Sequence, residues 1–252
     1  MSAEPTDRRR VALIHSGLGY VGPSLARLLA DRGHDLVIAD PADGLIEDLE
    51  ARGAAVEVVT DASNPSREGA TDSLVAAALD RFGRLDAASA FSGQIVVGGF
   101  VEDATIEDFQ RVVTGCMEGP FRFLKSVVPA MQANDDGGQV LVITSATANR
   151  ATKGASLYSM ARAGATHLVR NVAAEVAATN VQVNAVGTNF MDFPEFLAAT
   201  GATDPAVRAA IESRVPMQRL GTMDEFAAMC AVFLDGTSRF TTGQFVSYAG
   251  GW

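Results

Sequence analysis

Apolar runs of strand length alternate with helix-period segments along all 252 residues. This alternation predicts an α/β fold: a Rossmann-like, doubly wound parallel sheet of about seven strands, helices on both faces, in a three-layer sandwich. Two further observations support it. The first strand-to-helix turn carries Gly17, Gly19 and Gly22, the spacing found where such folds turn tightly into a helix. Length and an apolar fraction of 48% suffice for one large domain with a proper core.

Taken in order, Val11-Ala12-Leu13-Ile14 is the first strand and ends in the turn His15 to Tyr20. A helix follows from Gly22 to about Arg32, with Leu25, Leu28 and Leu29 on one side. Asp35 to Asp40 reads as the second strand and Ala55 to Val59 as the third; the helix between them, Leu45 to Arg52, is stopped by Gly53. A long helix is expected from Ser66 to Phe82, ended by Gly83. Leu85 to Phe91 is a weaker fourth strand, left by a glycine-containing loop from Gly93 to Gly99. Thr105 to Met131 reads as one or two helices, with Pro120 as the kink or break. A turn at Asn134 to Gly138 leads into the strand Gln139 to Ile143, and an alanine-rich helix starts near Ala155. Val181 to Val186 is the sixth strand. An insertion with short helices (187–216), a helix from Met223 to Asp235 and a closing strand from Gln244 to Ser247 complete the chain. With no repeat, low-complexity tract or linker, residues 1–252 read as a single domain.

Lys plus Arg total 20 and Asp plus Glu 30, a net charge of −10 that argues against nucleic acid or a membrane surface as partner. Arg8-Arg9-Arg10, the only basic run, reads as a solvated flank. Cys116 and Cys230 make neither a disulfide framework nor a zinc site and read as buried thiols in apolar helices. His15, His34 and His167 are too scattered for metal ligation. No apolar run is long enough to span a bilayer, so a cytoplasmic protein is expected.

The chemistry concentrates between Ser145 and Arg162. Ser145 ends an apolar strand, and Tyr158 and Arg162, four apart on the next helix, share one face. A phenol titrates near about 10, so a neighbouring cation is needed to make its base form common at neutral pH. Arg162 can supply that charge. Ser145, Tyr158 and Arg162 are therefore the candidate catalytic residues.

This trio resembles the active site of the short-chain dehydrogenase/reductase family, Ser followed by Tyr-x-x-x-Lys, with Arg162 at the lysine position. Ser, Tyr and Arg at this spacing are similar to the halohydrin dehalogenases, a cofactor-free branch that converts vicinal haloalcohols to epoxides. The first turn points the same way. Against the family pattern T-G-x-x-x-G-x-G, the positions of Thr, Gly and Gly hold His15, Ser16 and Tyr20. An aromatic at Tyr20 followed by Gly22 matches the dehalogenase pattern; His15 departs from its usual threonine. The family's Asn-Asn-Ala-Gly is replaced by Ala90-Phe91-Ser92-Gly93, its relay asparagine by Cys116, and its Pro-Gly turn by Thr188-Asn189. Asp40 and Asp61 stand where a reductase reads ribose and adenine, and read here as relics or surface residues.

The resemblance implies no nicotinamide cofactor and no metal. It implies a halide or small-anion pocket walled by Tyr20, Thr188, Asn189, Phe190 and Met191. Tyr158 would remove the proton of a haloalcohol substrate while Ser145 orients that oxygen. In reverse, azide, cyanide or nitrite would open an epoxide. It also implies a homotetramer built on the two long helices, with Trp252 a candidate for the subunit interface. Two alternatives stay open: an NAD(P)-dependent reductase with arginine in place of lysine, and a catalytically silent binding protein.

Overall fold

In the computed structural model, which describes residues 8–91 and 103–252, the strands are β1 (Arg10–Ile14), β2 (His34–Ala39), β3 (Val56–Val59), β4 (Ala87–Phe91), β5 (Gly138–Ser145), β6 (Val181–Thr188) and β7 (Phe245–Tyr248). They form one parallel sheet in the order β3-β2-β1-β4-β5-β6-β7. The order reverses where β1 lies beside β4, which opens a crevice at the carboxyl ends of the strands, the place where such sheets bind ligands.

The helices are α1 (Gly22–Asp31), α2 (Leu45–Ala51), α3 (Ala70–Phe82), α4 (Ile106–Val113), α5 (Gly119–Gln132), α6 (Ser156–Val176), α7 (Pro194–Thr200), α8 (Pro205–Glu212) and α9 (Met223–Val232). Because side chains alternate across a strand, Val11 and Leu13 enter one core with α3, α5 and α6. Ala12 and Ile14 enter the other, with α1, α2 and α9. The three-layer architecture expected from the sequence is the one observed. Among the described residues, no helix is long and apolar enough to cross a membrane.

Three local expectations are corrected. α3 begins at Ala70, not Ser66, because Gly69 takes a left-handed φ of +75° and the residues before it form a turn tied by Asn64. The break between α4 and α5 is a π turn at Thr114–Glu118 holding buried Cys116; Pro120 sits in the first turn of α5, where no N–H is needed. The basic flank is not simply solvated. Arg9 pairs with Asp35 at 2.9 Å, and Arg10 opens β1 and donates to His34 Nε2 at 3.2 Å and to Gln139 at 3.2 Å. The loop expected at 93–99 lies outside the described residues.

His34 is fully buried; its Nδ1 lies 3.1 Å from the Leu29 carbonyl, while Nε2 faces Arg10. Burial first, and the Arg10 charge second, lower its pKa to about 4 from 6.5. Protonation therefore favours the unfolded chain: the stabilisation is complete above about pH 6.5 and is lost as pH falls toward about 4. The Tm should drop over this window, and His34→Gln should drop less over the same range; an equal slope in thermal scans would refute the assignment.

Candidate active site

Parallel pairing builds the floor of the site. β5 and β6 are in register to their last residues, so Ser145 stands opposite Thr188. Ser145 Oγ accepts hydrogen bonds from the Thr147 hydroxyl (3.0 Å) and the Thr147 N–H (3.3 Å), and lies 3.5 Å from the Thr188 carbonyl. A short 3-10 turn, Ala146–Asn149, carries the chain away before α6 starts at Ser156. Tyr158 therefore lies in the first turn of α6, half-buried, and Arg162 lies one turn deeper with 0% exposure. The Arg162 guanidinium packs on two rings, 4.7 Å from the Tyr158 centroid and 5.3 Å from Phe91. A flat, weakly hydrated guanidinium stacks on rings in a way a lysine ammonium does not.

A cavity of about 560 Å³ is lined by Ser145 and Tyr158 together with Tyr20, Thr188, Asn189, Phe190 and Met191. All five wall residues expected from the sequence reach it; Arg162 lies behind Tyr158 and not on the lining. Sequence reasoning missed Thr147, Phe91, Phe193 and Phe196, which also line it. A second hydroxyl two residues beyond Ser145 was a usable signal for Thr147. Phe91 ends β4, Phe193 precedes α7 and Phe196 lies within it, so nothing in their spacing along the chain announces that they meet. Cys116 packs with Val112, Leu157 and Ala161 and is not on this lining. Ser92 and Gly93 lie outside the described residues. Trp252 contacts Phe190 (5.2 Å) and Arg150 (4.4 Å) of its own chain.

Tyr20 has a left-handed φ of 52° and packs on Phe193 (4.6 Å), Phe91 (4.8 Å) and Phe226 (5.7 Å). Its hydroxyl shares a 2.5 Å hydrogen bond with Thr188 Oγ1. Burial pushes its pKa well above the ordinary tyrosine value, so it stays a neutral phenol. A second cavity, about 320 Å³, runs along the first turn from Ser16 to Gly22, and Tyr20, Phe91, Phe193 and Glu195 line both cavities. Tyr20 is thus a partition between them. Gly22 is required by the turn itself, since a Cβ there would lie 1.8 Å from the Ser16 carbonyl oxygen. At Gly19 a Cβ would meet only Glu195 Oε1, at 3.5 Å. His15 is tied to Thr71 at 2.9 Å and is kept neutral by burial, with a pKa of about 4. The Asp40 carboxylate accepts the backbone N–H groups of Asp61, Ala62 and Ser63, joining the end of β2 to the loop after β3. Burial opposes the charge, but these hydrogen bonds outweigh it and hold the pKa below the usual carboxylate value.

A family model described as enoyl-(acyl carrier protein) reductase matches residues 15–252. The chain belongs to the short-chain dehydrogenase/reductase family. Among its relatives is a protein named cis-4-hydroxycyclohexanecarboxylate dehydrogenase from Sinomonas cyclohexanicum, 29% identical, with 96% of each chain covered. A levodione reductase structure superposes with a TM-score of 0.83 at 27% identity, covering 97% of each chain. A structure described as a dehalogenation enzyme gives 0.82 at 26% identity, covering 97% of this chain and 98% of that one.

These findings correct the activity expected from the sequence. Conversion of haloalcohols to epoxides is not upheld: the family model and the curated relatives are named as reductases, dehydrogenases and oxidoreductases. The likeness to a dehalogenation enzyme is no greater than that to levodione reductase. The physical reason is that a hydroxyl at the end of β5 facing a phenol at the start of α6 is chemistry that would serve a proton transfer whatever bond changes next. The finer assignment rested on Arg162, Tyr20 and the replaced motif positions at Ala90 to Gly93, Cys116 and Thr188-Asn189.

Tyr20→Phe removes the partner of Thr188 Oγ1 without disturbing the ring contacts. It should destabilise the fold by about 1 kcal/mol. Equilibrium denaturation measures this, and an unchanged midpoint would show that the hydroxyl pair contributes nothing to stability.

Proposed function

We propose that this chain is an NAD(P)-dependent short-chain oxidoreductase that interconverts a hydroxyl and a carbonyl group on a small, largely apolar substrate. The observation that carries the reading is the meeting of Ser145 and Tyr158 on one cavity, with a second cavity over the first turn sharing a wall with it. The names of the relatives as dehydrogenases and reductases support the redox class.

Gly19 and the amino end of α1 line the cavity over the first turn, where a helix amino end favours an anion, and Glu195, whose carboxylate lies over Gly19, must swing away for the diphosphate of a dinucleotide to approach. Tyr20 stands at the inner wall and is the residue its far end must displace. When bound, the nicotinamide supplies or takes up the hydride. Everything else falls to the chain: Tyr158 Oη gives or takes the proton of the substrate oxygen, and Ser145 Oγ orients that oxygen. Thr147 holds Ser145 Oγ in place, and Arg162, dry against the Tyr158 ring, supplies the compensating positive charge. Cys116 and Cys230, buried and not in a disulfide, support a cytoplasmic location. Exposed Phe109, Phe121 and Met160 on α4, α5 and α6 support assembly of copies through those helices.

Calorimetric titration with NADH and NADPH tests the reading. At least one should bind with a submillimolar Kd, and Tyr20→Ser should tighten it by opening the partition. Tyr158→Phe should keep that binding and lose at least about a hundredfold in turnover of cyclic secondary alcohols and ketones. Binding of neither dinucleotide would overturn the proposal.

A further inference from the structure

Beyond Phe190 and Phe196 the reaction cavity adjoins a second hollow of about 630 Å³, and the two share Asn189, Phe190, Phe196 and Thr200. One side of this hollow is the apolar face of α8, with Ala206, Val207, Ala210 and Ile211. Arg214, two residues past the end of α8, also lines it. The neighbouring cations are committed: Arg208 pairs with Asp192 and Glu212, and Arg219 pairs with Glu225. Among the described residues, Arg214 takes part in no ion pair. The charged group on the lining of the reaction cavity is Glu195, which does not reach this hollow. A ligand spanning both hollows therefore meets a carboxylate near the reacting end, apolar walls between, and a cation at the far end.

The residue separating the hollows is held in an unusual conformation. Phe190 has a left-handed φ of 57°, its N–H is accepted by Asn189 Oδ1 at 3.0 Å, and its ring sits edge-on to Trp252 and Phe196. A bulky residue adopts this backbone only where the surroundings over-determine it, and such sites cluster where ligands are shaped. The chain carries a net charge of −10, so an anionic substrate needs a local cation to overcome the general repulsion.

We propose that Arg214 recognises a carboxylate at the remote end of the substrate. The substrate is then a hydroxy- or oxo-carboxylate whose apolar midsection passes Phe190 and Phe196, with its reacting oxygen at Ser145 and Tyr158. The oxidoreductase reading enters only in naming the reacting group; selection of the carboxylate can be read without cofactor or turnover. Glu195 fixes the direction of entry, because it repels the anionic end from the reacting side.

The chain's single tryptophan, Trp252, touches Phe190 and reports occupancy through its fluorescence. The probes are an oxooctanoate with its keto group beside the terminal methyl, and the methyl ester of the same acid. Titrated into the full chain without nucleotide, the acid should bind about tenfold more tightly than the ester, a preference that shrinks with added salt. Arg214→Gln should equalise the two, Arg214→Lys should keep part of the preference, and Arg214→Glu should reverse it. Calorimetry repeats the comparison independently of the optical signal, and far-UV circular dichroism confirms that each variant is folded. Equal affinity of acid and ester for the parent, no binding of the acid at millimolar concentration, or a preference that survives Arg214→Gln would each overturn the proposal. Failure to bind NADH or NADPH would sink the oxidoreductase reading and leave this one standing.

Discussion

A guanidinium with no exposed surface is the constraint on which the site depends. Arg162 heads the largest fully buried side chains of the protein. A charge in that position is costly unless its surroundings compensate it. Part of the compensation comes from the faces of Tyr158, on α6, and Phe91, at the end of β4. The contact pins the helix that carries the phenol to the strand beside the crevice. Tyr158 is thereby fixed over the end of β5, where register with β6 has already placed Ser145 beside Thr188. Sheet pairing positions Ser145, and a dry cation positions Tyr158.

The second organising feature is the aromatic partition. Tyr20, Phe91 and Phe193 come from the first turn, β4 and the segment before α7, and together they separate the cavity over that turn from the reaction cavity. The hydroxyl of Tyr20 is satisfied by Thr188, so the ring is held from both ends. Phe91 belongs both to this partition and to the seat of Arg162. The seat of Arg162 behind Tyr158 and the boundary between the two cavities therefore share a side chain.

The gap between the expected and the corrected activity has a physical origin. Spacing along a helix reports that Tyr158 and Arg162 share a face, and an apolar run reports that Ser145 ends a strand. Both inferences are local, and both hold. A phenol beside a cation at a strand end can move a proton for a carbonyl reduction or for a ring closure, and spacing does not distinguish them. The assignment to ring closure leaned on Arg162, Tyr20 and a few replaced motif positions (Ala90 to Gly93, Cys116, Thr188-Asn189), against relationships that run through nearly the whole chain. The boundaries that moved, at Ser66 and Pro120, moved for similar reasons: a left-handed Gly69 and a π turn respond to packing around them rather than to the periodicity of their own segment.

By itself the order of residues determined the parallel α/β architecture, the buried strands, and the trio Ser145, Tyr158 and Arg162, because each follows from periodicity or spacing within about 20 neighbouring positions. Folding in three dimensions decided what surrounds that trio: the stacking of Arg162 on Phe91, the grip of Thr188 on Tyr20, the strained Phe190 and the hollow that Arg214 lines. Those contacts join residues far apart in the chain. Their energies depend on distance and burial, which no local pattern of residue types encodes.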